Sequence, residues 1–163
     1  MEQSVPATRK YDYGLLAIGL AFAGGGLYFM LVGAGIAPAP SKLYGPNWIA
    51  LAVGLVFFAA GLAVLVRGFL GLPDSQPNLP ADAPAAAVAV QWLASLTIIV
   101  GLASIGSWIA FAPGERAFTI FLPVRGSLGE SIGRIAFGIG AVITWAMAAA
   151  VAVKGVKQIF GKK

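Results

Sequence analysis

The run WIALAVGLVFFAAGLAVLV, residues 48–66, contains no Asp, Glu, Lys or Arg. As a helix it would reach roughly 28 Å at about 1.5 Å per residue, close to the ~30 Å hydrocarbon core of a bilayer. Residues 13–36, 88–111 and 135–153 are three further apolar runs of crossing length, again without a charge. All 10 prolines (Pro6, Pro38, Pro40, Pro46, Pro73, Pro77, Pro80, Pro84, Pro113 and Pro123) fall outside the four runs. A proline inside a helix would break its hydrogen-bond ladder, so their placement agrees with the hydropathy. The expectation is an all-α integral membrane protein, a four-transmembrane-helix bundle made of two helical hairpins in a single membrane domain spanning residues 1–163.

Composition supports the same solvent. Of 163 residues 59% are hydrophobic and 10% charged, whereas a soluble domain carries roughly 25% charged residues. So few charges could not cover a water-exposed surface. Cys and His are both absent, which removes disulfides, thiolate nucleophiles, thiolate metal sites and the commonest general base.

The first run is read as a retained helix rather than a signal peptide, because it is longer than the roughly 7–15 apolar residues of a signal sequence. With an even number of spans both ends of the chain lie on one side. That side would hold Arg9, Lys10, Arg67, Lys154, Lys157, Lys162 and Lys163, and the other Lys42, Arg116, Arg125 and Arg134. The excess of basic residues predicts that both termini are cytoplasmic. Tyr11, Tyr13 and Trp92 would then mark the inner interface, and Tyr44, Trp48 and Trp108 the outer one. Trp145, near the middle of the fourth run, is expected to be buried by packing.

Residues 71–87 hold four prolines and two acids and read as an extended cytoplasmic linker. It separates two hairpins with a faint internal echo, Pro38 and Pro113 each closely following an odd-numbered span. The outer loop, residues 112–134, gathers Glu115, Arg116, Arg125, Glu130 and Arg134. Ser127 and Glu130 fit a capping box that would start the last helix ahead of the membrane, and Glu130 stands one turn before Arg134, the favourable order for an ion pair.

Within the spans the polar residues are Gln91, Ser95, Thr97, Ser104, Ser107 and Thr144. Hydroxyls in helices commonly bond back to the carbonyl one turn earlier, and that is their expected state. Small residues are abundant, with 22 glycines, and in lipid they mark where backbones approach. Ala136, Gly140, Thr144, Ala148 and Ala152 recur every fourth residue, and Gly19 with Ala23, Ala21 with Gly25 and Ala50 with Gly54 make shorter pairs.

No span supplies an acid–base pair, an activated nucleophile or a metal triad. The expectation is therefore a non-enzymatic protein without cofactor or metal, acting through helix or loop contacts as an accessory or assembly subunit or scaffold of a membrane complex. Its candidate contact surfaces are the Ala136 to Ala152 stripe and the charged outer loop. Its partners would be the lipid bilayer and either another membrane protein or further copies of itself. An oligomeric channel or carrier for small neutral or apolar molecules is the alternative. Basic charge is divided among the membrane flanks, which speaks against nucleic acid, and the Ala/Gly/Pro-heavy composition suits a bacterial inner membrane.

Overall fold

A computed structural model describes residues 11–39, 46–72, 79–80, 82–113 and 127–160, with the side chains of 127–128 and 158–160 outside the description. It contains α1 (Tyr13–Gly33), α2 (Asn47–Leu70), α3 (Ala85–Phe111) and α4 (Ser127–Phe160), and no strand among the described residues. All four helices are long and apolar enough to cross a membrane. The chain is thus an all-helical, multi-pass membrane protein.

Local chemistry sets the helix ends. Asp12 caps α1, its Oδ1 accepting from the Leu15 N–H at 3.0 Å. Pro46 and Pro84 precede α2 and α3, where a missing N–H costs nothing. Past α1 the chain turns through Gly35 at φ 74°, with Ile36 N–H donating to Leu31 O at 2.9 Å. Past α2 it turns through Gly71 at φ 60°, with Leu72 N–H donating to Arg67 O at 3.2 Å. Both ends are Schellman motifs that occupy otherwise orphaned carbonyls. Gly71→Ala is expected to cost about 1 kcal/mol through the left-handed backbone alone, read from a reversible denaturation curve in detergent.

The helices outrun or fall short of the apolar runs. α1 stops at Gly33 because the left-handed turn follows; α3 begins at Ala85, so residues 85–87 of the expected linker are its first turn. α4 has 34 residues, about 51 Å of helix, and residues 127–134 of the outer loop belong to it.

Neighbouring helices run antiparallel. The Asp12 N–H donates to Gly68 O at 3.1 Å, tying the start of α1 to the end of α2. Trp48 and Trp108 meet edge to face at 6.0 Å, placing the start of α2 beside the end of α3. Trp92 Nε1 donates to Val151 O at 3.1 Å, joining the start of α3 to the end of α4. The start of α1 and the end of α4 therefore lie at one end of the bundle. Among the described residues α1 touches α2, α2 touches α3 and α3 touches α4, and no other pair meets. The bundle is laid out as a row, so α1 and α4 each have a single neighbour.

Packing follows the logic of lipid rather than water. The buried apolar residues are mostly alanines, among them Ala50, Ala59, Ala94, Ala103, Ala141 and Ala148, while Leu20, Phe57, Phe111, Ile139 and Ile143 are exposed. Lipid tails solvate a leucine as well as a protein interior does, so burying it gains little, whereas small residues let backbones come close and gain dispersion contacts.

The α1–α2 interface takes this furthest. Gly19, Gly26 and Gly33 recur every seventh residue on α1, and Gly54, Gly61 and Gly68 do so on α2. A Cβ added to Gly54 would stand 2.5 Å from Met30 N, and one added to Gly26, Gly33 or Gly61 would run into the backbone of Phe58, Leu51 or Ala23. A seven-residue interval drifts by only about 20° per repeat on a straight helix. All six glycines can therefore face the partner helix along the whole seam.

Candidate functional site

At the loop end of the bundle, the Glu130 and Arg134 side chains pair as their spacing predicts. Arg134 Nη2 lies 2.8 Å from Glu130 Oε1, and Nε donates to the same oxygen at 3.0 Å. Nη1 donates to Ala112 O at 3.0 Å, so the guanidinium also ties α4 to the terminal carbonyls of α3. The two side chains are 27% and 26% exposed, which makes this a half-solvated clamp rather than a buried charge pair, and modest in energy. Glu115, Arg116 and Arg125 lie outside the described residues.

Beside the clamp a groove of about 450 Å³ descends between α3 and α4, with Phe111, Ile135, Gly138 and Ile139 among its walls. Among the described residues no group of three or more carboxylates is placed to hold a metal ion.

The small-residue stripe on α4 does not lie along one face. On an α-helix a step of four residues overshoots one turn by about 40°, so Ala136 and Ala152 point roughly 160° apart. Ala136 and Gly140 are exposed, Thr144 and Ala152 are half-buried and Ala148 is buried. A Cβ at Gly140 would meet nothing within 4 Å. The side of α4 packed against α3 instead runs through Gly138, Ala141, Ala148 and Gly155. On α1 the Ala21 and Gly25 pair likewise faces outward, with open space beyond Gly25.

Trp145 is not buried. It is 46% exposed, and its Nε1 donates to Ser107 Oγ at 3.1 Å. Its position along the span says nothing about direction, and α4, as an outer helix of the row, has more lipid-facing than protein-facing surface. Trp92 plays the packing role instead. Its indole lies against Gly155 so closely that a side chain there would overlap the ring. Residue type places Trp92 at the interface, and only the fold pairs it with Gly155.

The hydroxyls mostly bond backward. Ser95 donates to Gln91 O at 2.8 Å, Ser104 to Val100 O at 2.8 Å, Ser107 to Ala103 O at 2.7 Å and Thr144 to Gly140 O at 2.7 Å. Thr97 departs from the pattern, having no hydrogen bond among the described residues. It lines a second groove of about 500 Å³ between α2 and α3, together with Trp48, Leu55, Val100, Gly101 and Ser104. Near the other end of α3, the side-chain oxygen of Gln91 is shielded and also has no partner among the described residues. No protein-family model, curated protein or solved structure matches the chain.

Proposed function

We propose that the chain is a non-enzymatic accessory or assembly subunit of a membrane complex, residing in a bacterial inner membrane with both termini cytoplasmic. The observation that carries this reading is the row arrangement: among the described residues α4 packs on α3 alone, and its exposed surface carries Ala136 and Gly140, with room beside Gly140 for another backbone to approach. A helix face with small residues and no neighbour among the described residues suits close helix association in lipid. The basic residues at the end of the bundle that holds Arg67, Lys154 and Lys157 suit a cytoplasmic placement.

Gly140→Leu tests the surface without touching the chain's own packing. The variant should insert with unchanged helical content and lose association by on the order of tenfold, read by mild-detergent pull-down of tagged protein with intact-complex mass measurement. Unchanged association would count heavily against this face as the contact surface. The subunit reading also expects purified protein in liposomes to be silent; conduction or leak would replace it with a channel.

A further inference from the structure

We infer that the groove between α2 and α3 is a binding site for a neutral, carbonyl-bearing lipid of the membrane-quinone class, held by a hydrogen bond from Thr97. This inference is independent of the subunit reading above.

The groove measures about 500 Å³, within the ~300–1,000 Å³ of ligand pockets, and like them it combines apolar walls with few polar groups. At its mouth Trp48 meets Trp108 edge to face at 6.0 Å, a rigid aromatic corner between the helices. Tryptophans favour the headgroup level. Thr97 lies 11 positions before Trp108 in the sequence, which is about 16 Å along the helix axis at ~1.5 Å per residue. Half the hydrocarbon thickness is about 15 Å, so this hydroxyl sits near the middle of the bilayer.

A hydroxyl at that depth has few ways to satisfy its proton. Ser95, Ser104, Ser107 and Thr144 give theirs to the backbone one turn earlier. Thr97 has no such bond among the described residues and borders the groove. A lone water is poorly suited, because a buried water needs two to four polar partners, and Ser104, the other hydroxyl lining the groove, stands two turns further along and gives its proton to Val100 O. The missing partner is an acceptor carried by the occupant itself.

Depth then selects the kind of lipid. A glycerophospholipid keeps its phosphate and ester carbonyls at the interface, because drawing a charged head into hydrocarbon is prohibitive, and so it offers Thr97 only methylenes. A lipid without charge, whose polar group is a carbonyl on a compact ring, can bring an acceptor to the midplane while its tail lies along the lipid-facing opening. A planar ring fits between the apolar walls that Leu51, Leu55 and Val100 provide.

The test uses the full chain in lipid nanodiscs and a short-tailed benzoquinone as probe, with quenching of tryptophan fluorescence as readout. Quenching should saturate, and Trp48→Phe should remove most of the saturable part. Thr97→Val, which keeps the shape and removes the proton, should weaken apparent affinity roughly three- to fivefold with unchanged helical content. Val100→Phe, which fills the groove, should abolish saturation. A ring of the same tail without carbonyls should fail to compete. Quenching that rises linearly without saturation, equal affinity for Thr97→Val and the parent, or equal competition by the carbonyl-free ring would each overturn the assignment and leave an ordinary furrow for acyl chains.

Discussion

Gly26→Leu is expected to separate α1 from α2, whereas Gly24→Leu, two residues away on the same helix, is expected to leave the bundle intact. The difference lies in what each new side chain meets. A Cβ at Gly26 would strike the Phe58 backbone, with Gly54 O 2.7 Å away, while a Cβ at Gly24 meets nothing within 4 Å. Overpacking against a side chain can be relieved by a rotamer change and typically costs about 1–3 kcal/mol. Here the obstacle is main chain, so the whole helix must move. Because Gly33 sits as close to the Leu51 backbone and Gly19 rests on Leu65, a shift at Gly26 also loosens the contacts of Gly19 and Gly33. Both variants gain helix propensity by roughly 0.5–1 kcal/mol, which cancels when they are compared. Reversible denaturation in mixed micelles should therefore place Gly26→Leu about 3 kcal/mol or more below Gly24→Leu. Equal stability of the two would mean that the glycine seam does not hold the hairpin together.

That seam separates what residue type and hydropathy determine from what only the packed helices determine. Four crossings were legible because hydropathy reports the lipid-exposed length directly, and nothing in Trp48 to Val66 competes with that signal. The ends were less legible, since they depend on caps: Asp12, Gly35 and Gly71 decide where α1 begins and where the first two helices stop. α4 extends far beyond its apolar run because charge ends the membrane crossing without ending the helix. The six seam glycines stand at intervals of seven, whereas the four-residue spacing of small-xxx-small pairs drifts around the helix by about 40° per step. The same drift divides the Ala136 to Ala152 stripe, leaving Ala136 and Gly140 open and Ala148 buried. The pairing of Glu130 with Arg134 was legible because both lie on one helix. Its further bond to Ala112 was not, since it joins two helices. Likewise, residue type alone shows Thr97 as another hydroxyl, and only the fold reveals that it lines a groove unpaired among the described residues.

A double-substitution cycle at the other end of the bundle should show strong coupling between Trp92 and Gly155. The indole occupies the space that a residue-155 side chain would fill, and its Nε1 donates to Val151 O at 3.1 Å, one turn earlier on α4. In the parent chain Gly155→Ala must push the ring out of this seat and break that bond. The expected cost is about 2 kcal/mol, the middle of the overpacking range. Trp92→Ala empties the same space, so adding Gly155→Ala to it should be neutral or stabilising by up to about 1 kcal/mol of helix propensity. The coupling energy then comes to roughly 2–3 kcal/mol, at the upper end for residues in contact. Trp92→Phe separates the two contributions by keeping an aromatic ring and discarding the donor; it should cost only about 0.6 kcal/mol, the average for hydrogen bonds between membrane helices. A larger loss would make the hydrogen bond, rather than ring packing, the main tie between α3 and α4 at this end. An equal cost for Gly155→Ala with and without the indole would show that the two residues do not share the space at all. Because α3 is the one helix that α4 touches among the described residues, the strain falls on that contact, and the effect should reach the stability of the whole α3–α4 hairpin.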